Sequence, residues 1–124
     1  EIVRNNKKTD VYKKHQDLLS EVFEYIWISC QWTDGTYEIF SRILLSPTID
    51  TIAQQLIVSA ITLSVMNIYD IRKFKLLVDI YKLSNDEHVR QRALVGWILS
   101  ICNEKHIFYQ EQKKIISGLQ LWVM

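Results

Sequence analysis

Ile52-Ala53-Gln54-Gln55-Leu56-Ile57-Val58-Ser59-Ala60-Ile61 and Val89-Arg90-Gln91-Arg92-Ala93-Leu94-Val95-Gly96-Trp97-Ile98 run in step, 37 positions apart. Each opens on a β-branched residue, passes a polar pair and continues with apolar residues at helical spacing. A shorter amphipathic stretch and a polar turn precede each copy. A helix pair recurring at this period cannot bury its apolar face alone, so its copies must stack on one another as in an α-solenoid.

Working outward, the rest of the chain divides into further helices. Residues 1–9 are polar and basic without periodicity and are expected to be a flexible lead-in, leaving 10–124 as one repeat domain. From Asp10, the spacing of Val11, Leu18, Leu19, Val22, Ile26 and Cys30 predicts a first helix to about Gln31. Thr33-Asp34-Gly35-Thr36 is a turn by its chemistry. A second helix carries Ile39, Phe40, Ile43 and Leu44 on one side, ending where Ser46-Pro47-Thr48 starts the third. Thr51 with Gln54, and Ser84 with Glu87, have capping-box spacing, and Asp70 is placed to cap a fourth helix. That helix sets Ile71, Phe74, Leu77, Val78 and Tyr81 on one arc and Arg72, Lys75, Asp79 and Lys82 opposite. A fifth helix extends to about Asn103, and a sixth carries Ile107, Phe108, Ile115, Ile116, Leu119 and Trp122. The expected architecture is all-α: about six antiparallel helices in three stacked pairs, a right-handed superhelix with Leu56, Ala60, Leu77, Val89, Ala93 and Trp97 in one core.

Composition agrees with that class. Three Gly and one Pro in 124 residues starve the chain of the turns that a β-sandwich needs. Charged residues are 23% and the net charge is only +1, so no long-range field recruits nucleic acid or an anionic membrane. Leu56 to Met66, interrupted by Ser59, Thr62 and Ser64, is too short to span a bilayer. Cys30 and Cys102 each sit in an apolar helical stretch and are expected to be buried and reduced, which with no visible signal peptide implies a cytoplasmic setting. The chain begins at Glu1 and runs into Leu121-Trp122-Val123-Met124 without a cap. A fragment of a longer array is therefore expected, with self-association through the apolar C-terminal end.

Asp86-Glu87-His88-Val89-Arg90-Gln91-Arg92-Ala93 resembles the turn and second-helix start of a HEAT repeat, with Asp86, Val89, Arg90 and Ala93 in the family's positions. The resemblance covers roughly residues 37–103 and implies a HEAT-like solenoid in which Asp86 and Arg90 are structural. The other copy departs from the pattern, with Ile49 and Ala53 standing where Asp86 and Arg90 stand, so the array is irregular.

No residues carry the spacing that catalysis or metal binding requires. His15, His88 and His106 lie in different segments, and there is no His-x-x-x-His, Cys-x-x-Cys or Gly-rich phosphate loop. We therefore expect no catalytic residue, metal or cofactor. Trp27, Trp97 and Trp122 read as core, while Trp32, beside a turn, is the one expected to be half exposed. At 100° per residue, Gln55, Ser59, Thr62 and Met66 share a narrow strip, and Arg92, Gly96, Leu99 and Asn103 occupy the places 37 later. These small and polar residues line a concave groove, are merely solvated, or allow close helix packing. The groove reading makes the chain a non-catalytic scaffold for a protein or peptide partner, held through Gln55, Ser59, Thr62, Arg92, Gly96 and Asn103. The alternative is a nucleic-acid-binding module using Lys7, Lys8, Lys13, Lys14 and the Arg72, Lys73, Lys75 cluster, disfavoured by the low net charge.

Overall fold

A computed structural model describes residues 2–102 and 113–116. Among these residues the regular structure is helical: α1 (Ile2–Ile28), α2 (Asp34–Leu45), α3 (Thr51–Asn67), α4 (Ile71–Leu83), α5 (Glu87–Cys102) and a short helical stretch at 113–116. No helix among them is long and apolar enough to cross a membrane.

Each turn is punctuated by a short side chain that receives the first free N–H groups of the next helix. Thr33 Oγ1 accepts from Thr36 N–H at 3.2 Å, Asp50 Oδ1 from Ile52 N–H at 3.2 Å, Asp70 Oδ1 from Arg72 N–H at 3.1 Å, and Asp86 Oδ1 from Val89 N–H at 3.0 Å. Asp70 thus caps α4 as its sequence position implies. The two expected capping boxes are replaced. Asp50 takes the role given to Thr51, because Pro47 lies in a turn and α3 begins only at Thr51. The freed Gln54 side chain turns back and donates to Ile43 O and Ser46 O, at 3.0 and 2.9 Å. Ser84 ends α4 instead of starting α5, its N–H bonding Ile80 O at 2.9 Å, and Asp86 supplies the cap.

The helices form two layers. α3 lies between α1 and α5 in one layer, α2 packs on α4 in the other, and α4 rests on α5 and α3. Neighbours within a layer run parallel. Ser64 of α3 reaches back to Ser29 at the end of α1, and Arg92 of α5 reaches Gln55 of α3. Across the second layer, Gln31 with Tyr69, Trp32 with Asp70 and Asp34 with Arg72 each link positions 38 apart. Ala60, Leu77, Val89, Ala93 and Trp97 are buried in one cluster, as expected. Leu56 is only partly buried: α3 turns its fully covered sides, through Ala53, Ile57, Val58 and Ile61, toward its neighbours, leaving Leu56 at the margin.

Other expectations need correction. α1 starts at Ile2, so the polar segment expected as a lead-in is helical, and it ends at Ile28 instead of near Gln31. Ser29 N–H and Oγ both turn back to Ile26 O, breaking the helical ladder there. Ile39 is exposed because α2 buries only Phe40 and Leu44 fully. Cys30 is exposed, lying in that turn beyond the end of α1. The tryptophans exchange roles: Trp32 is 4% exposed and stacks on Phe40 at 5.0 Å, while Trp27 is 49% exposed. Trp32 is held by its backbone N–H to Asp70 Oδ2 at 2.8 Å and by Nε1 to Ser29 Oγ at 3.0 Å. The Cys102 side chain, Asn103, His106, most of the sixth helix and the apolar C-terminal end lie outside the described residues.

Candidate functional site

The seam between α3 and α5 brings the strip residues together, in two different ways. Toward the helix starts, Arg92 Nη1 donates to Ser59 Oγ at 2.9 Å and more weakly to Gln55 O at 3.4 Å, and Ser59 Oγ donates to Gln55 O at 3.1 Å. Around this contact opens a depression of about 410 Å³ lined by Gln55, Ser59, His88, Gln91, Arg92 and Val95. His88 and Arg92 are exposed, one helical turn apart on α5, and no carboxylate lines the depression. Among the described residues Arg92 is engaged through Nη1, and the residue is exposed. Gln91 is steadied by Glu87 Oε1 at 3.3 Å.

Farther along, the same seam closes. Gly96 is buried, and a Cβ there would overlap Thr62 Oγ1 and press on Leu77 at 3.3 Å. Thr62 Oγ1 donates to Val58 O, and Ser100 Oγ to Gly96 O, so the polar atoms at this crossing are satisfied within their own helices. Thr62 and Gly96 therefore serve close packing, while Gln55, Ser59 and Arg92 share the open depression; Asn103 is outside the described residues. Met66 and Leu99, 38% and 39% exposed, continue the strip as apolar surface.

A second depression, of about 520 Å³, separates the turn at Ser46-Pro47 from that at Ser84-Asn85-Asp86. Its polar floor is occupied: Gln54 bonds the end of α2, and Ser84 Oγ accepts from Asp86 N–H at 3.2 Å. Asp86 and Arg90, the residues of the HEAT-like motif, have local partners. Asp86 caps α5, while Arg90 Nε donates to Tyr81 O at 3.2 Å with its guanidinium 5.8 Å from the Tyr81 ring.

The basic run on α4 is not a free patch. Arg72 pairs with Asp34 at 2.8 Å, the guanidinium's hydrogen bond holding that carboxyl below the usual carboxylate range. Lys75 Nζ stands 5.2 Å from the Tyr37 ring centre. Lys73 is wholly buried, its ammonium donating to Ser29 O, Cys30 O and Ser64 Oγ at 2.8, 2.7 and 2.7 Å, beside the Trp32 ring. Burial pushes its pKa below the ordinary lysine value. Nearby, the Tyr37 hydroxyl donates to Asp79 Oδ2, and burial followed by that bond raises its pKa well above the usual phenol range.

This buried junction was missed by reading the basic residues as a group. The available signal was spacing: Lys73, Leu76, Leu77 and Ile80 fall at i, i+3, i+4 and i+7, one face of a helix. No group of three His, Cys, Asp or Glu placed to hold a metal occurs among the described residues. Comparison with known proteins adds nothing to this geometry: no family model matches the chain, and no curated protein or solved structure matches it.

Proposed function

We propose that the chain is a non-catalytic helical-repeat scaffold that holds an extended, acidic peptide segment of a partner protein in the depression between α3 and α5. The observation that carries this reading is the convergence of Arg92, Ser59 and Gln55 from parallel helices on an open, carboxylate-free depression that also presents His88. An exposed guanidinium suits a carboxylate, and parallel helices in a row offer an extended ligand successive equivalent places. The HEAT-like solenoid reading is supported by parallel packing within each layer and by hydrogen bonds recurring 37 or 38 positions apart. Nucleic-acid binding would have to rest on the α1 lysines, since Lys73 is buried and Arg72 is paired.

Panning a random peptide library on the domain tests the proposal. Enrichment of Asp- and Glu-containing peptides that slow amide exchange along α3 and α5 is expected. Peptides that protect other helices, or single-stranded DNA binding that collapses steeply with added salt, would refute it.

A further inference from the structure

Among the described residues, the two layers leave one helix partly without a neighbour. α1 has 27 residues and α3 has 17, and the Ser64–Ser29 hydrogen bond aligns them near their C-terminal ends. The start of α3 is then level with about residue 16 of α1, so the first half of α1 overhangs it by about 20 Å at 1.5 Å per residue. Burial agrees. Leu19, Val22, Phe23 and Ile26 meet the core, whereas residues 7–18 are exposed without exception. A free helix of this length is marginal in water, yet this one carries an apolar stripe: Val11, Leu18 and Tyr25, exactly one heptad apart, are 67%, 60% and 55% exposed.

We propose that a second copy of this chain covers the stripe, the two α1 helices pairing antiparallel about a two-fold axis at Leu18. Among antiparallel registers this one matches the whole stripe: Leu18 meets Leu18 of the second copy, and Val11 meets its Tyr25. Charge selects the same direction. N-terminal to Leu18, Lys7, Lys8, Lys13 and Lys14 outweigh Asp10 and Asp17, while C-terminal to it the exposed charges of α1 are Glu21 and Glu24. Parallel pairing would set like charges side by side, whereas antiparallel pairing brings Lys14 beside Glu21 of the second copy, twice over. Neither residue is ion-paired among the described residues. A monomeric acidic partner would neutralise the lysines but would leave the acidic half of the helix repelled.

Sedimentation velocity of the full chain over a concentration series, with far-ultraviolet circular dichroism on the same samples, tests the pairing. A reversible dimer is expected, with helicity rising as it forms. Leu18→Asp, which sets two carboxylates on the axis, should weaken it by more than about a hundredfold. Lys14→Glu and Glu21→Lys should each weaken it by about tenfold, and the double variant should return to within about threefold of the native chain. All three substituted positions are exposed, so the thermal midpoint of the dissociated chain reports that folding is intact. A monomer at every concentration would overturn the proposal. So would a dimer indifferent to Leu18→Asp, which would place association elsewhere, such as the apolar C-terminal end. Failure of the double variant to recover would reject the antiparallel register.

Discussion

Two stretches of the α3–α5 seam, less than two helical turns apart, use the same kinds of residue to opposite ends. At Thr62 and Gly96 the helices touch backbone to side chain with Leu77 of α4 beneath them. At Gln55, Ser59 and Arg92 they are bridged by one guanidinium, and the space between them is open to solvent. Both pairs lie on the strip of small and polar residues that the repeat defines. At the closed stretch Leu77 of α4 reaches the seam and small means close packed, whereas at the open stretch the residues border a depression and small means accessible.

That contrast is broken most severely at the closed stretch. Gly96→Leu should cost about 3 kcal/mol or more in urea unfolding, because Thr62, Leu77 and two backbones would have to move apart. Arg92→Ala, one turn away, should change stability by no more than about 0.5 kcal/mol. Equal losses at the two sites would erase the distinction.

The junction beneath the two layers sharpens the comparison from the other side. Asp70→Ala removes both the cap of α4 and the acceptor of the buried Trp32 N–H, and a loss of about 2 to 3 kcal/mol is expected in the same assay. An effect as small as that of Arg92→Ala would show that the turns are not locked together.

Tyr37 supplies a smaller, pH-dependent test. Its folded pKa is raised above the unfolded value of 10.0, so its contribution is complete below pH 10 and is lost as pH rises beyond it. Native protein should therefore lose stability relative to Tyr37→Phe progressively as pH rises above about 10. Lys73 acts with the opposite sign, its lowered pKa favouring the fold as pH climbs toward 10.5. The difference between the two proteins isolates Tyr37, and parallel pH curves would contradict the assignment. The least effect is expected from Arg72→Ala, whose pair with Asp34 is exposed and screened by solvent, so the urea midpoint should stay within error of the native one.

How much of this was legible depends on what a one-dimensional pattern encodes. The 37-residue spacing gave the partnership of Gln55 with Arg92, and the apolar period gave Ala60, Leu77, Val89, Ala93 and Trp97 as core. Period identifies a face but not the element that covers it. Trp32 was therefore read as exposed beside its turn, when a second turn 38 residues later encloses it. Lys73 was read as a surface cation, although two helix-end carbonyls and Ser64 meet its ammonium inside the core. The opening segment of α1, residues 2–9, is polar and carries no apolar period, which leaves its helicity without a sequence signal. Whether the strip was groove or packing could not be separated without knowing where Leu77 lies.

The most direct test of this division is the affinity of Arg92→Glu protein for acidic peptides selected on the native domain, measured beside its thermal midpoint. The account predicts a loss of at least about tenfold with the midpoint unchanged, since Arg92 binds the partner without holding the fold. Retained affinity, or a midpoint that falls along with it, would contradict the claim that the open stretch of the seam is a binding surface.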